Sequence, residues 1–183
     1  MRITSGKFRH RIIKMTGLET TRETQDKVRI AIFNMIGQFF DGGICLDLFA
    51  GSGAMALEAI SRGMDKAYLN DLNKNALKIC KENALSLGIN NCVFSNLDYK
   101  DFFKECNIKF DYIFLDPPYK IDNTIEILNL SKEILNEKGL IVFEMAKESI
   151  SDAQIDGLKL IKEHNYGIKK VAVYKRLSNE EQI

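Results

Sequence analysis

Asp116-Pro117-Pro118-Tyr119 follows the apolar run Tyr112-Ile113-Phe114-Leu115 and contains both prolines of the 183-residue chain. Pro118 has no N–H and biases Pro117 away from the helical region, so a strand entering this tetrapeptide leaves it neither as sheet nor as an immediate helix. The segment is a stiff, extended corner at a strand's C-terminal end, where open α/β sheets place their chemistry. It offers the Asp116 carboxylate, the Pro117 carbonyl and the Tyr119 ring. Two acceptors and an aromatic face suit a planar nucleobase bearing an exocyclic amino group. Such an amine is a poor nucleophile, because its lone pair is delocalised into the ring. If Asp116 and Pro117 each accept one of its N–H groups, the nitrogen can pyramidalise toward a methyl donor while Tyr119 stacks on the base. In-line placement then contributes more than strong acid–base help, and no metal is needed. A base held in this way must be flipped out or already unpaired.

A second signature lies upstream, where Cys45-Leu46-Asp47-Leu48-Phe49-Ala50-Gly51-Ser52-Gly53-Ala54 reads as a strand, a glycine turn and a helix start. Gly51 and Gly53 permit a tight turn and close backbone approach of a ligand, and the helix that follows offers unpaired N–H groups. Gly51 to Ala56 fits the dinucleotide pattern G-x-G-x-x-G/A, with Asp71 where a ribose-binding acid is expected. That spacing alone admits a nicotinamide cofactor. Two features favour S-adenosyl-L-methionine instead. Asp47 adds negative charge beside the turn, which is awkward for a pyrophosphate and welcome for a sulfonium or an ammonium. Asn96-Leu97-Asp98-Tyr99 supplies a carboxylate suited to an adenine amino group. The competing structural roles are a backbone-turn cap for Asp47 and a helix N-cap for Asp98. The expected cofactor shell is Asp47, Phe49, Ala50, Gly51, Ser52, Gly53, Asp71, Leu72, Asp98 and Tyr99. Glu144, closing Val142-Phe143-Glu144, either lines the site or caps the sheet edge. His10 and His164 have no partner pattern for a metal.

The elements that position these residues follow from hydrophobic periodicity. Strands are expected at 44–48, 66–70, 91–95, 110–115 and 139–144, alternating with helices at 54–62, 73–87, 98–105 and 123–136. Regular βα alternation implies an α/β fold, a mostly parallel sheet with helices on both faces. Segments 158–165 and 168–176 flank Tyr166-Gly167 and read as an antiparallel pair. Ahead of the sheet, 24–39 places Val28, Ile32, Met35, Ile36 and Phe39 at helical spacing, with Thr24 as N-cap. The segment from Arg2 to Lys14, turning at Ser5-Gly6, reads as a small hairpin. The division expected is an arm over 1–20 and one domain over 21–183.

The composition, 45% hydrophobic and 28% charged, is that of an ordinary soluble domain. No apolar run approaches the roughly 18 residues that span a bilayer, and the N-terminus has no apolar signal region, so a cytoplasmic location is expected. Cys45, Cys80, Cys92 and Cys106 show no Cys-x-x-Cys spacing and read as reduced structural thiols. Net charge is +1, but residues 1–29 carry eight basic against three acidic residues. A basic arm on a mildly acidic body suggests a nucleic-acid contact, with Arg2, Lys7, Arg9, Arg11, Arg22 and Arg29 on its phosphates. The plainer reading is a solvated hairpin that happens to be basic. No sequence feature selects an oligomeric state.

The glycine turn, the acidic strand ends and the Asp-Pro-Pro-Tyr corner together resemble class I S-adenosylmethionine-dependent amino methyltransferases. More narrowly, the chain resembles the bacterial RsmD family, which methylates N2 of a guanine in small-subunit (16S) ribosomal RNA. The likeness runs nearly end to end, through Arg2-Ile3, Ser5-Gly6, Thr21-Arg22, Asp26-Lys27-Val28-Arg29, Leu57-Glu58-Ala59, Ser61-Arg62-Gly63, Glu144 and Tyr166-Gly167. It departs at Glu23, where the family usually has proline, at Asp71, where it often has glutamate, and at Asn73, where it has a second acid. The resemblance implies a Rossmann-like seven-stranded sheet, S-adenosylmethionine as cofactor, and rRNA or a small-subunit assembly intermediate as partner. Three other functions are compatible with the same residues: an adenine-N6 methyltransferase on DNA or RNA, a nicotinamide-dependent oxidoreductase, and a non-catalytic RNA-binding assembly factor.

Overall fold

Short apolar runs alternate with amphipathic stretches, and in the computed structural model, which describes residues 1–17, 26–118, 123–149 and 155–177, they become strands and helices in regular succession. The order is α1 (Asp26–Ile36), β1 (Ile44–Asp47), α2 (Ala54–Ser61), β2 (Lys66–Asn70), α3 (Lys74–Leu87), β3 (Cys92–Ser95), α4 (Tyr99–Glu105), β4 (Phe110–Leu115), α5 (Thr124–Glu133), β5 (Leu135–Ala146), β6 (Leu158–Tyr166) and β7 (Lys169–Arg176). They form a seven-stranded sheet in the order β3-β2-β1-β4-β5-β7-β6. The first five strands are mutually parallel, and β7 runs antiparallel to both β5 and β6. This is the Rossmann-like arrangement of the class I methyltransferases.

The central strands are covered on both faces. Cys45, Phe114 and Val142 point into one core with Ile32, Phe33, Leu57 and Cys80. Leu46, Ile113 and Phe143 point into the other with Phe102, Phe103, Ile127 and Leu128. Alternation by strand pleat, with both faces dry, explains why these strands read as unbroken apolar runs. The sheet order turns back on itself between β1 and β4. That switch point opens a crevice at the carboxyl ends of the strands.

Three boundaries differ from expectation. The helix expected to reach residue 136 stops at Glu133, because Leu135 is fully buried and pairs with Phe110 as the first residue of β5. The six residues from Leu135 to Leu140 then oppose only the three from Phe110 to Tyr112, so the start of β5 is irregular. Helix α1 ends at Ile36, and Gly37, at φ 126°, breaks it before the exposed Phe39. Thr24 lies outside the described residues.

The N-terminal hairpin forms as expected, with an Arg2–Ile12 antiparallel bridge and Ile3 N–H donating to Arg11 O at 2.9 Å. It is fused to the domain. Ile3 and Ile13 are buried in the core, and Lys7 N–H donates to Ser61 O at 2.8 Å. At Gly6, φ 78°, a Cβ would come within 1.8 Å of Ser61 O. Only glycine lets the arm approach the end of α2 so closely.

Candidate active site

Strand β1 delivers Asp47 to the crevice with its side chain almost wholly buried. Its Oδ2 accepts from Ala56 N–H at 3.3 Å. Burial pushes its carboxyl up to about 7, and the Asp116 and Asp71 charges push the same way against the Ala56 hydrogen bond. The glycine turn follows. Gly51, at φ 53°, donates its N–H to Asp71 Oδ2 at 2.8 Å, while Asp71 Oδ1 accepts from Asn73 N–H at 2.8 Å. Burial raises the Asp71 carboxyl as well. Asp71 therefore braces the turn, and each of its oxygens keeps a second lone pair for a ligand hydroxyl.

Asn70 holds this end of the sheet together. Its Nδ2 donates to Leu48 O at 3.2 Å and Leu97 O at 3.0 Å, and its Oδ1 accepts from Ser95 Oγ at 2.8 Å and Leu97 N–H at 3.2 Å. One side chain thus ties the segments after β1 and β3 to the end of β2. Sequence reasoning passed over Asn70. Its signal was a polar residue closing an apolar strand immediately before Asp71.

The crevice contains a cavity of about 480 Å³, well within the ~300–1,000 Å³ of small-molecule sites. Asp47, Phe49, Ala50, Gly51, Ser52, Asp71, Leu72, Asp98 and Tyr99 all line it, over an apolar floor that includes Ile32, Phe114 and Val142. Gly53 does not. Packing requires glycine there, because at φ 80° a Cβ would sit 2.5 Å from Cys80 Sγ. Asp98 combines both readings of it, capping α4 by accepting from Lys100 N–H at 3.0 Å while lining the cavity. Asn73, in place of an acid, caps α3 by accepting from Asn75 N–H at 2.9 Å. A crevice with acids at three successive strand ends and an apolar floor suits a ligand that carries hydroxyl and amino groups and positive charge.

At the far end stand Asp116, Pro117 and Pro118; Tyr119 lies outside the described residues. These three line the large cavity and also an adjoining one of about 250 Å³. Glu144 and Lys169 border both cavities too. Lys169 Nζ lies 3.6 Å from Asp116 Oδ2 and is ion-paired with Glu144 Oε1. Lys169 was missed by sequence reasoning. It is the first residue of β7, and because β7 is reversed its beginning falls at the carboxyl edge of β4 and β5, with Lys169 opposite Ala146. Glu144 lines both cavities.

The basic residues divide. Arg2, Lys7, Arg9 and Arg11 are exposed on the arm, with Arg11 Nη2 donating to Ser86 O at 2.7 Å. Arg22 lies outside the described residues. Arg29 contradicts its expected place on RNA phosphates: it is fully buried, with Nε donating to Glu58 Oε2 at 3.2 Å and Nη2 to Asp26 Oδ1 at 2.9 Å and to Arg2 O. The basic run that suggested RNA supplies, at this position, a structural ion pair.

The four cysteines are free, and burial raises the thiols of Cys45, Cys80 and Cys92, the last to about 12. Inert packing thiols are the result. Among the described residues no group of His, Cys, Asp and Glu side chains is arranged to hold a metal ion. No described helix is long and apolar enough to cross a membrane.

Known proteins resemble this chain along most of its length. The family model described as conserved hypothetical protein 95 matches residues 1–175. A Bacillus subtilis protein named "Putative rRNA methyltransferase YlbH" is 37% identical over 182 residues, covering 96% of this chain and 99% of the relative. The ribosomal RNA small subunit methyltransferase D of Haemophilus influenzae is 30% identical over 180 residues, covering 95% and 93%. Among solved structures, a conserved hypothetical protein of Streptococcus pyogenes superposes with a TM-score of 0.78 at 38% identity, covering 81% of this chain and 95% of the other.

Proposed function

We propose, from the premise that this chain belongs to the RsmD family of rRNA methyltransferases, that it transfers a methyl group from S-adenosylmethionine to the exocyclic N2 of a guanine in small-subunit rRNA. The observation that carries this reading is the shared wall. Asp116, Pro117 and Pro118 border both the 480 Å³ and the 250 Å³ cavity, so a donor in one and a base in the other meet at the amine-holding corner.

Asp71 is placed for ribose hydroxyls, Asp98 for the adenine amino group, and Asp47 for positive charge on the donor. When bound, S-adenosylmethionine supplies an electrophilic methyl group on a sulfonium. The Asp116 carboxylate and the Pro117 carbonyl each accept an N–H of the base amine, which turns its lone pair toward the large cavity. As nitrogen gains the methyl group it must shed a proton, and Asp116, already its hydrogen-bond acceptor, is the nearest carboxylate. The Lys169 ammonium lies against both the Asp116 and the Glu144 carboxylate. Tyr119, next in sequence, is the residue proposed to stack on the base. The exposed Arg2, Lys7, Arg9 and Arg11 are proposed to meet RNA phosphates, together with Arg22.

The test is the nucleoside made. Small-subunit rRNA or particles from a deletion strain, treated with the enzyme and labelled S-adenosylmethionine, should yield N2-methylguanosine on digestion and mass analysis. N6-methyladenosine in its place would overturn the guanine reading.

A further inference from the structure

Asp116 and Pro117 account for an amino group, and any amino-bearing base has one. Around them the site holds two further charged groups that amine capture alone does not require. Glu144 is 4% exposed and the Lys169 side chain 12%. Both border the 250 Å³ cavity into which the base would enter. Desolvating a carboxylate and an ammonium is costly unless they are paired and hydrogen-bonded. Such a pair can also read a ligand edge.

Resting on guanine N2 as the methyl acceptor, we propose that the Glu144–Lys169 pair reads the rest of the guanine edge, with the Glu144 carboxylate accepting from N1–H and the Lys169 ammonium donating to O6. The Watson–Crick edge of guanine runs amine donor, N1–H donor, O6 acceptor. The protein offers two acceptors and one donor to meet it, Asp116, Glu144 and Lys169, with the Lys169 ammonium touching both carboxylates. An ammonium has three donors, two of which face the carboxylates, which leaves one for a carbonyl. A carboxylate has about four lone-pair positions, so pairing with Lys169 leaves Glu144 able to accept from N1–H. Adenine with its N6 amine in the same corner presents N1 as an acceptor to the Glu144 carboxylate and has no O6 for Lys169. The same two side chains therefore admit guanine and reject adenine. The reversal of β7 makes this possible, since it brings a strand's first residue to the edge where the parallel strands β1 to β5 end.

The experiment is a cycle between base and side chain. Once the modified guanine is located, rRNA fragments carrying guanine or 2-aminopurine at that position are assembled. 2-Aminopurine keeps the accepting amine but lacks O6 and N1–H. The wild-type enzyme should prefer guanine by at least about 100-fold in kcat/KM, because the analogue leaves buried polar groups unpaired. Lys169→Met should lower kcat/KM for guanine by roughly 10- to 100-fold, the range of a charge-assisted hydrogen bond. It should cost 2-aminopurine at least about fivefold less than it costs guanine, and Lys169→Arg should restore part of the guanine rate. Calorimetry with S-adenosylhomocysteine verifies that each variant is folded. Equal losses on both bases would overturn the proposal, reducing Lys169 to a neutraliser of Asp116 and Glu144. A wild-type preference under about tenfold would overturn it without any variant. Methyl on adenine would instead remove the guanine reading itself, so the two failures are told apart.

Discussion

Glu58 and Glu144 are both buried carboxylates beside cations, and they do different work. Glu58 is fully enclosed and takes five donors: Thr4 N–H, Thr4 Oγ1, Ser5 N–H, Arg29 Nε and Arg62 Nε, at 2.6–3.2 Å. None of these residues borders either of the two cavities. Glu144 sits with Lys169 and Asp116 on the wall between two cavities. The first cluster is closed and holds the arm, α1 and α2 together. The second opens to ligands. Burial of charge alone therefore does not mark a catalytic site; a cavity on the cluster's outer side does.

The comparison can be broken by substitution. The largest effect on stability is expected at Glu58. Glu58→Ala removes the buried carboxylate that Arg29 and Arg62 share and should cost about 3–5 kcal/mol by urea unfolding. Loss below 1 kcal/mol would show that the arm is held by its apolar contacts instead. At the open site, Asp47 makes cofactor affinity depend on pH. Its carboxyl titrates at about 7, and a cationic ligand favours the ionised form, so affinity should fall roughly tenfold from pH 8 to pH 6. Asp47→Asn should flatten that profile in calorimetry. In the ligand-free protein the sign reverses. The folded state holds the Asp47 proton more tightly than the unfolded chain, so this group's contribution to stability is present below about pH 3.8 and lost as pH rises through about 7. The smallest effects belong to the arm. Arg9→Gln should reduce the slope of log K against log salt for rRNA binding by about 0.7–0.9. Arg29→Met should leave that slope unchanged while lowering the melting temperature, which separates a phosphate contact from a structural ion pair.

The same contrast explains what could be read from the sequence. The strand-end acids Asp47, Asp71 and Asp116 were legible because βα alternation brings the C-terminal ends of the parallel strands to one edge. Lys169 was not, since it begins a strand and reaches that edge only because β7 is reversed. Arg29 was misread because charge along a sequence does not tell which side of a helix faces the core. Here the partner that buries it, Glu58, lies 29 residues away. The end of α5 was misplaced for a similar reason: Ile134 and Leu135 suit a helix face as well as a strand, and pairing with Phe110 decides. At Gly53 the pattern alone does not show the packing demand, which comes from Cys80 on α3.

Asp116→Ala tests most directly the claim that the open cluster is the catalytic one. Methyl transfer to rRNA and binding of S-adenosylhomocysteine should be measured on the same preparation. Turnover should fall on the order of 10³-fold, about 4 kcal/mol of transition-state stabilisation, with cofactor affinity within about threefold of wild type. Near-normal turnover in that variant would contradict the account.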